Sequence, residues 1–229
     1  MLHRLILLIT LVPATSVGMT FTVADLTCPI DGERFKQTLA ASGTSFGAHL
    51  DSRPYGPTPA PWPIAKCPAT GFVIFSESLT PGEIAKLTPV VRSAEYQSLQ
   101  KQHSNYFLAA YLMQVVGRTE GQVAYTLVQA SWEATTPDQE RTYRTAALAH
   151  YVKAMASASP KSKGWVSDQL MAGELERRLR RFADAEVRFR ALVAGGHVSQ
   201  KVDAQIVQYQ LELIAKRDSE AHLAPPARK

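Results

Sequence analysis

The spacing of apolar residues divides the chain into two parts. From about residue 81 to residue 217, apolar positions recur with the period of an amphipathic helix, for example at Phe182, Ala185 and Phe189. Each stripe of this kind predicts one buried helix face. Because the links between the stripes are short, neighbouring helices are expected to pack as antiparallel pairs. Helices are predicted around residues 81–87, 93–101, 103–117, 121–134, 138–157, 164–180, 182–194 and 200–217.

The boundary between the two parts is expected near residue 80. Thr80 and Glu83 occupy the N-cap and N3 positions of a helix start close to a capping box, with proline between them at N1. Before this boundary the chain is rich in loops, with short β-prone runs at 21–23 and 71–75. The pattern therefore predicts an α+β protein that is mainly α.

A proline-rich stretch lies inside the first part. Five of the ten residues 54–63 are proline, and Tyr55 and Trp62 stand between them. Such a segment cannot form a helix or the interior of a sheet, so we predict extended, polyproline-like chain. The two aromatic side chains are expected to hold this loop against the rest of the protein. A recognition surface is the alternative.

Two similar phrases hold the only cysteines of the chain. They are Cys28-Pro29-Ile30-Asp31-Gly32 and Cys67-Pro68-Ala69-Thr70-Gly71. Each has the outline of a zinc-ribbon knuckle, C-P-x-C-G, in which the second cysteine is replaced, once by Asp31 and once by Thr70. The phrases predict a small zinc-ribbon-like β unit with a degenerate metal site over residues 19–80.

The N-terminus has the pattern of a secretory signal peptide. Arg4 precedes an apolar run from Leu5 to Val12, and small residues follow it. We therefore predict that residues 1–18 are a cleaved signal and that the protein is periplasmic or secreted. The run is shorter than the roughly 20 apolar residues of a membrane span. No integral membrane span is expected after cleavage.

Charge and motif content exclude several classes of function. The formal net charge of +5 is mild, and it lacks the concentrated basic stripe of a nucleic-acid binder. Export also argues against a nucleic-acid partner. The sequence contains none of the motifs G-x-S-x-G, H-E-x-x-H, G-x-x-x-x-G-K-[ST] or G-x-G-x-x-G. No catalytic activity and no catalytic residue is therefore predicted.

The chemistry of the two cysteines has two interpretations. Exported proteins meet an oxidising environment, and two facing knuckles would bring Cys28 and Cys67 within bonding distance, so a disulfide is favoured. Closing this loop should contribute about 4 kcal/mol in the chain-entropy model. The alternative is a metal-binding or thiol-redox factor, with zinc held by Cys28, Asp31 and Cys67. Thr70 is a poor fourth ligand, however, and neither phrase keeps the C-x-x-C pair of a thiol catalyst.

One predicted helix pair, over residues 170–192, carries a more specific pattern. Gly173 and Ala185 permit close approach of the two helices, and Phe182 and Phe189 fill the space between them, as in a tetratricopeptide unit, which the segment resembles. An ordinary helical bundle is the alternative. The charged residues of the pair are expected to form solvated faces with i,i+4 ion pairs, and an anion-binding patch is the alternative. They are Glu174, Glu176, Arg177, Arg178, Arg180, Arg181, Asp184, Glu186, Arg188 and Arg190.

Together these features resemble a bacterial family of unknown function, whose members have two C-P-x-C-G knuckles around a Pro/Tyr-rich connector, followed by tetratricopeptide-like helices. The resemblance spans about residues 26–195, and the family implies no reaction. The matching segments are Cys28-Pro29, Gly32, Arg53-Pro54-Tyr55, Cys67-Pro68, Gly71-Phe72, Leu79-Thr80-Pro81 and 176–182.

These expectations combine into one hypothesis. The protein is expected to be an exported, non-catalytic scaffold or adaptor that binds a protein partner through a tetratricopeptide-like stack over residues 81–217. A disulfide would hold the N-terminal unit together. No cofactor is expected, and residues 218–229 are expected to form a flexible tail.

Overall fold

The computed structural model describes residues 18–226. Except for its last residue, the predicted signal peptide lies outside the described residues. Within them, the chain is mainly helical, with two small antiparallel sheets near the N-terminus. The predicted class, mainly α with a smaller β part, is confirmed. Over the same range, no helix combines the length and the apolar character that a membrane crossing requires.

Each predicted helix is present between residues 81 and 215. Their bounds are α1 (Pro81–Val91), α2 (Ala94–Gln102), α3 (Asn105–Val115), α4 (Glu120–Trp132), α5 (Pro137–Ala156), α6 (Trp165–Arg178), α7 (Phe182–Ala194) and α8 (Lys201–Ala215). The first helix continues past its predicted end and includes Pro89. A proline so close to the C-terminus removes only one helical hydrogen bond, so it does not end the helix there. Consecutive helices pack on one another from α3 to α8.

Side-chain caps mark the starts of the helices α1 to α5. The N–H of Glu83 donates to Thr80 Oγ1 at 3.2 Å, and the N–H of Thr80 donates to Glu83 Oε2 at 2.8 Å, so the capping box is confirmed. Thr119 and Gln122 form a second capping box at the start of α4. Each box satisfies two backbone N–H groups that a bare helix end leaves unpaired.

The β structure consists of two short hairpins. Strands β1 (Thr20–Thr27) and β2 (Arg34–Ser42) form the longer one, and strands β3 (Gly47–Ala48) and β4 (Pro54–Tyr55) form the shorter one. The first cysteine phrase is the turn between β1 and β2. The strand predicted at 71–75 is wrong, since only an isolated bridge from Val73 to Lys66 forms there. The apolar residues of that run are instead buried in the core.

The β part and the helices share an apolar core. The two cysteines, Phe72 and Val73 pack in one cluster with Leu87 of α1 and Leu108 of α3. A separate cluster lies among α3, α4, α5 and α6. The cysteine phrases are therefore anchored on the helical part rather than extending freely from it.

The tail prediction is wrong for residues 218–226. The N–H of Leu50 donates to the carbonyl of His222 at 2.9 Å, and the N–H of Ala224 donates to the carbonyl of Ala48 at 2.8 Å. The tail thus adds a short antiparallel segment to the edge of β3. The polar composition of the tail did not predict this pairing. Main-chain hydrogen bonds hold the tail in place, and such bonds can form with any sequence.

A buried ion pair fixes the start of this tail. Arg177 is 0% exposed, and its guanidinium binds the carboxylate of Glu174 at 2.7 and 2.9 Å. It also donates to Gln210 of α8 and to the carbonyls of Asp218 and Glu220, at 2.9, 2.7 and 3.0 Å. The prediction of solvated faces is therefore wrong for this pair. Glu174 is a local partner, three residues earlier, and distant parts of the chain supply the remaining acceptors that make burial possible.

Candidate functional site

The two cysteine phrases adopt the same backbone geometry. In each, the cysteine N–H donates to the carbonyl of the fifth residue after it at 2.8 Å, and the glycine N–H donates to the cysteine carbonyl at 2.9 Å. Gly32 and Gly71 have φ angles of 76° and 70°, in the left-handed region that glycine adopts without steric cost. The repeated phrase is therefore a repeated tight turn.

The two turns are joined covalently. Cys28 and Cys67 form a disulfide with their Cα atoms 5.6 Å apart, so the predicted bond is present in the structure. Both cysteines are only 1% exposed. Exchange requires a thiolate to reach one of the sulfurs, and this burial keeps both out of reach in the folded state.

The candidate metal ligands do not converge. Both cysteine sulfurs are bonded to each other, and the carboxylate of Asp31 accepts the N–H of Glu33 at 3.0 Å. Thr70 Oγ1 lies 3.7 Å from the sulfur of Cys28. Among residues 18–226, no group of three or more His, Cys, Asp or Glu side chains is arranged to hold a metal ion.

The residues predicted to pack the α6–α7 pair do meet. A Cβ added to Gly173 would lie 2.3 Å from Cζ of Phe189, which shows how closely the ring covers the glycine backbone. Ala185 and Phe189 are both 0% exposed, and Phe182 lies in the same apolar cluster. The backbone of α6 at Gly173 therefore accepts the ring of Phe189 from α7.

A groove of about 660 Å³ crosses the outer surface of α5, α6 and α7. We call it the α5–α7 groove. It is lined by Val152, Pro160, Trp165, Gln169, Glu176, Arg181, Asp184, Val187, Arg188, Ala191, Leu192 and His197. Two exposed apolar side chains lie at its rim, since Val187 is 69% exposed and Val152 is 47% exposed.

The charged side chains of the groove are paired with one another. The guanidinium of Arg188 binds the carboxylate of Glu176 at 2.7 and 2.9 Å, and Arg181 Nε donates to Asp184 at 2.8 Å. These ion pairs leave the lining with no excess charge. The groove is consequently suited to an apolar segment of a ligand rather than to a strongly charged one.

The proline-rich loop borders a second cleft, of about 860 Å³, against α8 and the tail. Tyr55, Phe46 and Tyr209 line this cleft. Trp62 has a different role, since its backbone carbonyl accepts the hydroxyl of Tyr106 at 2.7 Å while its ring is 42% exposed. The loop is thus held to α3 through its main chain, and its tyrosine faces the cleft.

Comparison with known proteins identifies the family of the chain. A family model matches residues 23–214, and its description is an uncharacterized protein conserved in bacteria (DUF2225). The chain belongs to this family. The predicted resemblance to an uncharacterised bacterial family is therefore confirmed, and the description assigns no reaction to it. Comparisons with curated proteins and with solved structures found no match.

Sequence reasoning missed the α5–α7 groove, although one signal for it was present. Val187 interrupts the polar side of α7, out of phase with the stripe formed by Phe182, Ala185 and Phe189. An apolar residue opposite the buried stripe of a helix marks a candidate contact surface. Val152, on α5, joins it only in the folded chain.

Proposed function

We propose that this protein is an exported, non-catalytic scaffold or adaptor that binds an extended, apolar segment of a partner protein in the α5–α7 groove. The exposure of Val187 at the rim of that groove carries the proposal. In this proposal residues 1–18 are a cleaved signal peptide, and the protein acts in the periplasm or outside the cell.

The helical part supports this proposal through its organisation. Consecutive helices pack from α3 to α8, and Gly173 allows Phe189 to sit against the backbone of α6. We interpret the helices as a tetratricopeptide-like stack, an architecture in which each helix pair adds a strip to one extended binding surface. The disulfide-linked turns are interpreted as a zinc-ribbon-like shell that lost its metal and supports the stack.

The rim valines provide the binding energy in this proposal. Burying one exposed valine side chain is worth about 1.5 kcal/mol, or roughly tenfold in affinity. Val187 and Val152 would supply two such anchors, while the paired charges below them need not lose their partners. The segment of the partner protein that binds in the α5–α7 groove should therefore carry apolar residues and little net charge.

A position-specific crosslinking experiment tests the proposal. A photo-crosslinking amino acid at position 187 in the full chain, expressed in its native cell, should give a discrete adduct with a protein partner. The control is position 193 on the same helix, where Val193 is 57% exposed but outside the groove. Equal labelling from both positions, or none from position 187, would contradict the proposal.

A matched pair of substitutions adds a quantitative test. Val187→Glu places a charge at the groove rim and should weaken partner binding at least tenfold, while Val193→Glu should leave it unchanged. Both sites are exposed, so neither variant should lose stability. Cell fractionation of the same strains tests export, which a cytoplasmic location of the folded protein would disprove.

The alternative function, a metal-binding or thiol-redox factor centred on Cys28 and Cys67, has less support. The two sulfurs are bonded to each other and buried. We therefore propose no cofactor for this chain, and zinc stays the alternative to be tested by metal analysis of the purified protein.

A further inference from the structure

A cavity of about 360 Å³ lies between the start of α5, the end of α6 and the tail. Four of its lining residues are arginines and two are glutamates, so positive charge exceeds negative charge by two. It shares no lining residue with the α5–α7 groove. Its residues are Pro137, Glu140, Arg141, Arg144, Arg178, Leu179, Arg180, Ser219 and Glu220.

One of these arginines has a buried nitrogen without a hydrogen bond. The side chain of Arg178 is 10% exposed, and its buried Nε has no acceptor among the described residues. The nearest carboxylate oxygens, from Glu140 and Glu174, lie 3.8 and 4.0 Å from its terminal nitrogens, which is beyond hydrogen-bond distance. A buried N–H donor without a partner is costly, so the Nε of this side chain indicates a missing acceptor.

The neighbouring arginine increases the need for negative charge. Arg144 is also buried, and Glu140 Oε1 binds it directly. That oxygen is also the nearest acceptor to Arg178, so one carboxylate faces two guanidinium groups. Burial, followed by the charge of Arg178, lowers the pKa of Arg144. The cavity thus contains two largely buried guanidinium groups whose nearest shared carboxylate is that of Glu140.

A third arginine is placed at the rim by an unfavourable backbone conformation. Arg180 has a φ of 62° at the position after α6 where glycine is preferred. Its N–H donates to the carbonyl of Arg177 at 2.9 Å, and the N–H of Arg181 donates to the carbonyl of Glu176 at 2.8 Å, which closes the helix in a Schellman motif. Glycine would serve this turn better, so the long basic side chain points to a role in the cavity.

We propose that this cavity binds a small dianionic oxyanion, carried by a phosphate or a dicarboxylate group. Guanidinium groups bind both kinds of oxyanion through paired, charge-assisted hydrogen bonds. A dianion matches the excess of two positive charges and gives Arg178 the acceptors that it lacks. The volume lies at the lower end of the range for small-molecule sites.

Calorimetric titration of the purified full chain tests this site. Inorganic phosphate and succinate are the two probes, each at a fixed ionic strength set with sodium chloride. We expect saturable binding of one equivalent of at least one probe, and the tighter probe identifies the group that the site prefers. Arg178→Met and Arg180→Gly should each weaken that binding at least tenfold.

The variants separate binding from folding. Without a probe, Arg178→Met should keep or raise the melting temperature, since it removes a charge whose buried Nε has no hydrogen bond. Arg180→Gly should likewise keep or raise it, since glycine adopts the left-handed conformation of residue 180 without strain. Arg190→Gln is the control, because it removes an equal charge from an exposed ion pair on α7. If Arg178→Met does not fold, the affinity of Arg180→Gly for the probe tests the proposal by itself.

Three results would overturn the proposal. They are the absence of saturable binding of either probe, unchanged affinity in Arg178→Met and Arg180→Gly, and equal weakening in Arg190→Gln. The last would indicate a general effect of net charge rather than a built site. None of these results bears on partner binding in the α5–α7 groove, so the two proposals fail separately.

Discussion

The N-terminal unit and the helical part are stabilised in different ways. The β1–β2 hairpin is exposed on most of its surface, and the unit depends on the Cys28–Cys67 disulfide and on main-chain hydrogen bonds. The helices bury large apolar clusters and also the Arg177–Glu174 pair. The N-terminal unit contributes few residues to the core that it shares with α1 to α3, so a covalent bond adds substantially to its stability, whereas the larger helical core can accommodate a buried charge.

The largest effect should come from breaking the buried pair in the helical part. We expect Arg177→Ala to lower the free energy of unfolding by about 4 kcal/mol, because it removes the guanidinium that binds the buried Glu174 directly and leaves this carboxylate with only the amide of Gln210 and the more distant Arg178. Urea denaturation followed by circular dichroism measures the loss. The control, Arg190→Ala, removes an exposed pair with Glu186 and should cost no more than about 0.5 kcal/mol. Similar losses in both variants would contradict the structure.

Removing the disulfide should have an effect of nearly the same size and should act on the other region. The double variant Cys28→Ala, Cys67→Ala is expected to lose about 4 kcal/mol, since the unfolded chain regains the freedom that the closed loop denied it. Hydrogen exchange should show faster exchange in β1 and β2 while α4 to α7 remain protected. Simultaneous loss of protection in all of these elements would mean that the two regions are not stabilised separately.

A smaller effect tests the close contact between α6 and α7. Gly173→Ala should cost about 2 kcal/mol, because the new Cβ would overlap the ring of Phe189. Gly121→Ala in α4 is the matched control. No atom lies within 4 Å of its added Cβ, so it should be neutral or stabilise the protein by up to about 1 kcal/mol. Thermal unfolding of the two variants decides the point, and a loss in Gly121→Ala equal to that in Gly173→Ala would refute it.

The smallest effect concerns the pH dependence of the tail. The N–H of Glu220, followed by His222, holds the pKa of Asp218 below its ordinary value of 3.8. Because the pKa of Asp218 is lower in the folded state than in the unfolded state, its carboxylate stabilises the fold above pH 3.8. This contribution to stability is lost as the pH falls through the pKa of the folded state, which lies below 3.8. The protection factor of the Leu50 amide, which is its exchange rate corrected for the intrinsic rate at each pH, should therefore fall below pH 3.8, and Asp218→Asn should abolish that pH dependence.

Local signals predicted the parts of this fold that depend on neighbouring residues. Thr80 and Glu83 specified the start of α1, and the phrase beginning at Cys28 specified a tight turn, because these interactions lie within a few residues. The burial of Arg177 and the pairing of the tail with β3 depend on residues far away in sequence. No local pattern distinguishes Arg177, which finds its acceptors in α8 and the tail, from Arg178, which does not.

The same contrast applies to the candidate sites. The sequence indicated that Gly173 permits close approach of α6 and α7 and that Phe189 fills the space between them, and in the structure the ring of Phe189 covers Gly173. The grooves depend on how three elements meet, which periodicity does not describe. The sequence shows Val187 as an apolar residue on the polar side of α7. Val152 of α5 lies in the same groove only in the folded chain, so the sequence alone does not connect the two residues.

The pairing of the tail with β3 affects the order in which the native state can be assembled. Ala48 and Leu50 precede every helix, whereas their partners, His222 and Ala224, follow all of them. As synthesis proceeds, the loop from Cys28 to Cys67 can close early, but this strand edge stays unpaired until α8 has been made. A chain that stopped at residue 217 would display an open strand edge, a known template for aggregation, and would lack two acceptors for Arg177. The pairing of residues 48–50 with residues 222–224 is therefore a contact that a chain ending at residue 217 could not form.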